Sequence, residues 1–305
     1  MHELEKPGGV LEGTWRWRGY NIRYQRCGDA GPAVVLIHGF GGNCDHWKKN
    51  ISVLGLKCRT FSIDLLGYGY ADKPDPRQFP PNKLYCFENW AAQVLDFVRE
   101  KVEAPAFLIC NSVGGIVGLQ AAVDGGLAAV AGVQLLDVSL RMLHVRKQAP
   151  WQRPLVAALQ RALRDTPLGT WFFSSVAKPA TVKSILQQCY GDKSAVTDEL
   201  VDDILQPGLL PGAAAVFLDF VTYSSGPLPE DLLPKVSGIP VSILWGEKDP
   251  WEPIELGRAY TDFDCVEEFV ALPGAGHCPQ DDAPKLVNPA ILKFVERHSG
   301  IVPVG

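Results

Sequence analysis

The sequence predicts an α/β fold, a mostly parallel sheet flanked by helices and interrupted once by a long helical insertion. Three observations carry this. Short apolar runs recur along the chain, bounded by turn-forming residues, as strands covered on both faces require. Segments of helical period alternate with them, which makes βαβ units with right-handed crossovers. From Ser139 to about Leu233 the alternation stops, and only helical segments remain.

Thr14–Arg18 and Asn21–Arg26 come first, joined at Gly19–Tyr20, and their alternating pattern reads as an antiparallel hairpin. Ala33–Ile37, Ala106–Cys110, Gly132–Leu136 and Val241–Trp245 are the continuous apolar runs, with Cys58–Asp64 and Val266–Ala271 as weaker members. Phe87–Val102 places apolar residues at 87, 90, 91, 94, 95, 98 and 102, one face of a helix. Ser112–Ala122 and Ala283–His298 are further helices. The insertion holds Pro154–Arg164, Pro179–Tyr190, Thr197–Leu205 and Gly212–Tyr223, separated by Pro and Gly. The expected division is therefore a core of residues 1–138 and 234–305 with a helical cap, 139–233, over the sheet's carboxyl edge.

Composition limits the function classes. The 305 residues are 47% hydrophobic and 21% charged, which excludes disorder as the main state. The net charge is −5 with no basic stripe, so nucleic acid is not an expected partner. Eight scattered cysteines contain no Cys-x-x-Cys pair, which argues against a metal site and for buried thiols in a reducing compartment. No apolar stretch is long enough to span a bilayer, and Met1–Gly9 has no signal-peptide core. Peripheral membrane contact stays open.

Cys110-Asn111-Ser112-Val113-Gly114-Gly115 follows a strand and opens a helix. A serine at such a turn is a nucleophile elbow, in which strained backbone exposes the hydroxyl above the sheet. The usual glycine two residues before it is Cys110 here. The alternative reading is that Ser112 merely caps the helix. His38-Gly39-Phe40-Gly41-Gly42 follows an earlier strand, where the Phe40 N–H could join that of Val113 in an oxyanion hole. A serine hydroxyl needs a base, and the base needs an orienting carboxylate. Of six histidines, His277 sits in a glycine-rich loop after the last strand; His38 is expected to bond backbone instead. Asp249, after the penultimate strand, is the favoured acid, and Asp137, at the end of Gly132–Leu136, is its rival.

Together these motifs, in the order His38-Gly39-Phe40-Gly41, Asp64-x-x-Gly67-x-Gly69, Ser112, Gly246-x-x-Asp249 and Gly276-His277, resemble the α/β-hydrolase superfamily. The resemblance implies an eight-stranded, mostly parallel sheet, a helical cap and no cofactor. Serine at 112 disfavours the epoxide hydrolases and haloalkane dehalogenases of similar outline, which use aspartate. The stretches around Ser112, Trp245–Pro253 and Gly276–Asp282 are similar to plant and algal plastid members, including pheophytinases and chlorophyll dephytylases. That likeness implies a chloroplast serine esterase acting on a phytyl or other prenyl ester, a hydrophobic small molecule. A ligand-binding or receptor-like protein on the same scaffold, or a C–C bond hydrolase, are the competing expectations.

Overall fold

Each apolar run forms a strand, and the strands join in one sheet. The computed structural model describes residues 3–142 and 144–300. Its strands are β1 (Leu4–Lys6), β2 (Val10–Trp17), β3 (Tyr20–Cys27), β4 (Ala33–Ile37), β5 (Arg59–Ile63), β6 (Ala106–Asn111), β7 (Val130–Leu136), β8 (Val241–Gly246) and β9 (Val266–Leu272). They lie in the order β1-β2-β3-β5-β4-β6-β7-β8-β9. Pairing is antiparallel from β1 through β3 to β5 and parallel from there to β9. The sheet thus has nine strands, one more than the resemblance implied. The addition is β1, whose three largely exposed residues, two of them charged, carry no apolar alternation for sequence reading to find.

Among the described residues eight helices have nine or more residues: α1 (Phe87–Phe97), α2 (Val113–Gly125), α3 (Arg153–Asp165), α4 (Pro167–Val176), α5 (Pro179–Cys189), α6 (Asp198–Gly208), α7 (Ala213–Val221) and α8 (Pro284–His298). Strand periodicity explains how they pack. Val35 and Ile37 of β4 face Trp90, Val94 and Phe97 of α1 and Ile116 and Leu119 of α2. Val34 and Leu36 face the other way, into a second core with Trp47 and with Ile291 and Phe294 of α8. Each such large apolar side chain stabilises the fold by about 1.5–3 kcal/mol when fully buried.

Between β7 and β8 no strand occurs among the described residues; the chain forms α3 to α7 instead. Of these, α4 has no counterpart among the helical segments that the sequence pattern gives. Thr166 caps it by accepting from the Leu168 N–H, and Pro167 opens it. Gly169 is its one buried residue, because a side chain there would meet the Leu163 carbonyl of α3. Two mostly exposed faces therefore hide its helical period. Among the described residues no single helix is long and apolar enough to cross a membrane.

Candidate active site

The parallel strands end at one edge, and the turns after β4, β6, β7, β8 and β9 bring their side chains to it. Ser112, between β6 and α2, has φ 55° and ψ −122°, a strained conformation for a residue with a Cβ. Its neighbours make room. A Cβ on Gly114 would lie 2.5 Å from the His38 carbonyl oxygen, and one on Gly39 would lie 2.9 Å from the Ser112 Cβ. The Ser112 side chain makes no capping bond to α2. Cys110 fits because its sulfur lies over Gly118, one turn further along α2, where a Cβ would stand 2.5 Å from it.

The Ser112 hydroxyl lies 2.9 Å from His277 Nε2, and His277 Nδ1 lies 2.7 Å from Asp249 Oδ2. With the carboxylate as acceptor, Nδ1 carries the proton and Nε2 accepts from the serine. The other Asp249 oxygen accepts from the N–H groups of Trp251 and Glu252 at 2.8 and 3.1 Å, which fixes the carboxylate's angle. All three side chains are buried. Among the described residues the N–H groups of Phe40 and Val113 make no backbone hydrogen bond, and both residues line the same cavity as Ser112. The Phe40 ring is stacked on Phe220 at 5.0 Å and lies 5.4 Å from Phe217, both on α7, so its loop is held by packing.

A sequence profile described as the alpha/beta hydrolase family matches residues 34–290, which spans the elbow, the acid loop and the histidine loop. The chain belongs to this family. Relatives are more distant. A chloroplastic pheophytinase of Arabidopsis thaliana is 26% identical over 88% of this chain and 62% of its own length. A dihydrolipoyllysine-residue acetyltransferase component of an acetoin cleaving system from Pseudomonas putida is 27% identical over 89% of this chain and 65% of its own. The chain therefore spans less than two thirds of either relative. Among solved structures, the epoxide hydrolase CorEH superposes with a TM-score of 0.74 at 20% identity, over 94% of this chain and 99% of that one, a likeness of fold.

In this alpha/beta hydrolase Asp137 does not reach His277. It ends β7 at φ 45°, wholly buried, and its Oδ1 accepts from the Gly246 N–H at 2.8 Å. Burial and the neighbouring Asp249 push its carboxyl well above the usual range. Two residues that sequence reading missed steady the hydrolase's site. Asn111 donates to the Leu136 and His277 carbonyls at 3.2 and 3.0 Å, tying the elbow strand to the histidine loop. Asp282 accepts from the N–H groups of Gly276, Gly191 and Asp192, joining that loop to the segment after α5. Both act between segments more than 80 residues apart or through backbone, which no local motif announces. Asp64 explains its own motif: it accepts from Arg23, Cys44 N–H and Tyr70 N–H, and a side chain at Gly69 would collide with it.

The cavity above Ser112 measures about 580 Å³. Phe173, Val216, Phe217, Phe220 and Tyr223 line it, whereas Trp151, Trp171, Leu209 and Leu210 lie outside on the surface. The expected apolar segments of the insertion are thus split between the two. Asp residues, histidines and cysteines form no metal-binding group among the described residues.

His38 bonds backbone as expected, with Nδ1 donating to the Gly39 carbonyl at 2.8 Å and Nε2 accepting from the Leu65 N–H at 3.0 Å. Desolvation pushes its pKa down to about 4. The unfolded chain takes up this proton near the ordinary histidine value of 6.5, and the folded chain resists it until near 4. The stability His38 contributes is therefore complete above pH 6.5 and is lost as pH falls towards 4, about 2–3 kcal/mol by pH 4.5. Urea unfolding at pH 7 and 4.5 measures it. His38→Asn is expected to shrink the difference by that amount, and an unchanged difference assigns the acid sensitivity to other groups.

Proposed function

We propose that this protein is a serine hydrolase that cleaves a carboxylic ester of a hydrophobic alcohol, of the phytyl or prenyl type. The observation that carries the reading is the hydrogen-bonded chain Ser112–His277–Asp249 at the floor of an apolar cavity. In this reading Ser112 Oγ attacks the ester carbonyl while His277 Nε2 takes its proton, and Asp249 stabilises the imidazolium. The N–H groups of Phe40 and Val113 hold the oxyanion, each worth about 10²–10³ in kcat. Collapse of the tetrahedral intermediate expels the alcohol, which His277 protonates. Water activated by the same imidazole then releases the acid from Ser112.

Residues 139–233 serve as the cap in this reading, with residues 1–138 and 234–305 as the catalytic core. The aromatic lining from α4 and α7 supports a chain-like apolar group, and the plastid is the favoured compartment because the Arabidopsis relative is a chloroplastic pheophytinase. The experiment is a series of esters with one acyl group and alcohols of increasing length. Each methylene that enters the cavity should raise kcat/KM about threefold to fourfold until the space is full, since its burial is worth about 0.8 kcal/mol. A flat or falling series would rule out the prenyl ester. Labelling by a fluorophosphonate, expected at Ser112 alone, tests the nucleophile separately.

A further inference from the structure

The insertion carries an apolar surface that the cavity does not use. On α3 and the turn before it, Trp151, Leu155 and Leu159 follow one another at four-residue spacing, 72%, 68% and 56% exposed. That spacing sets them in a single stripe along the helix. On α4, which packs beside α3, Leu168, Trp171 and Phe172 form a second stripe, with Trp171 70% exposed. Contiguous exposed apolar patches of this kind mark an interaction site.

Charge identifies the partner. The stretch 146–183 holds seven basic residues and one acidic, in a chain whose net charge is −5. Arg153, Arg161 and Lys178 make no ion pair among the described residues, so their charge is not spent within the fold. A second copy docked patch to patch would set the unpaired Arg153, Arg161 and Lys178 of both copies against each other. An anionic lipid surface complements both features, because Trp and Leu enter the headgroup boundary while arginines stay at the phosphates. The patch also runs into the cavity wall: Phe172 and Phe173 of α4 lie 6.2 and 5.3 Å from Phe217, which in turn meets Phe40 beside Ser112.

We propose that α3 and α4 dock this protein on an anionic lipid bilayer, with the exposed stripes Trp151–Leu159 and Leu168–Phe172 seated in the headgroup boundary. The mouth of the cavity then opens towards the membrane, and an ester dissolved there passes along the aromatic side chains of α4 and α7 to Ser112. This delivery rests on the hydrolase reading above; the docking does not.

Flotation with vesicles of phosphatidylcholine, alone or mixed with phosphatidylglycerol, tests the docking, using both the wild type and Ser112→Ala. Both should float with the mixed vesicles, float little with phosphatidylcholine alone, and be released by high salt. The variant Trp151→Ser/Leu155→Ser/Leu159→Ser and the variant Arg153→Glu/Arg161→Glu should each lower partitioning at least about tenfold, since one basic residue near an anionic surface is worth about fivefold. Both should keep the wild-type thermal midpoint, and if the apolar variant unfolds, the charge variant decides. Wild type that stays behind with mixed vesicles overturns the proposal. So does equal flotation of the folded variants, or a dimer that the apolar variant abolishes without any vesicle binding. Absent ester turnover with intact flotation would remove the hydrolase reading and leave the docking standing.

Discussion

Ser112→Ala is expected to lower kcat for the preferred ester by about 10⁴–10⁶ while the thermal midpoint stays within a few degrees. The hydroxyl is the group bonded to His277 Nε2, and its removal closes the covalent route. In the proposed mechanism what remains is the effect of the Phe40 and Val113 N–H groups on a bound ester and water. The fold is spared because Ser112 makes no capping bond and alanine meets the same strain at φ 55° that serine does. The check is steady-state turnover beside a thermal melt. Activity above about a tenth of wild type would dismiss Ser112 as nucleophile, because that remainder exceeds what binding alone supplies.

Asp249→Asn is expected to cost about 10⁴ in kcat, and Asp137→Asn less than about tenfold. At 249 the amide oxygen would still accept from Trp251 and Glu252, which turns its NH₂ towards His277 Nδ1. That donor forces the proton onto Nε2, where it opposes the Ser112 hydroxyl. At 137 the outcome differs because the side chain makes no hydrogen bond to His277, whose Nδ1 is bonded to Asp249. An amide oxygen at 137 can keep the bond from the Gly246 N–H, so the turn after β7 is preserved. Parallel kinetics on the two variants measure the contrast. The reverse order of effects would move the acid to the end of β7.

The central strands are legible in the sequence because they lie between two layers of helix and so need uninterrupted apolar residues, as in β4 and β6, whereas β2 is legible through its alternation. The elbow, the acid loop and the histidine loop were legible for a related reason: each is a turn forced by small residues at a strand end. Legibility failed where structure comes from distant partners. β1 exists because β2 offers an edge, and its own three residues contribute no pattern. The helix Pro167–Val176 escaped notice because its apolar side chains point both into the cavity, as with Phe173, and out, as with Trp171. Asn111 carries no signal of its role in the elbow motif, because its partner, the His277 carbonyl, is 166 residues away in the chain. Cys110 looked like a defect in that motif, and the sequence alone offered no reason to connect it with Gly118.

That connection changes what the elbow demands. The sulfur of Cys110 takes up the space a Cβ on Gly118 would need, so strand and helix meet at a fixed separation whichever of the two carries the bulk. The constraint is on combined volume across the junction, and glycine on the strand side is only one way to divide it. Substitutions at the two sites should then be coupled: Cys110→Gly would leave a void that Gly118→Ala could fill, and Gly118→Ala alone would push the strand and the helix apart beneath the nucleophile. A search pattern written as a single obligatory glycine would pass over chains that settle the same geometry from the helix side.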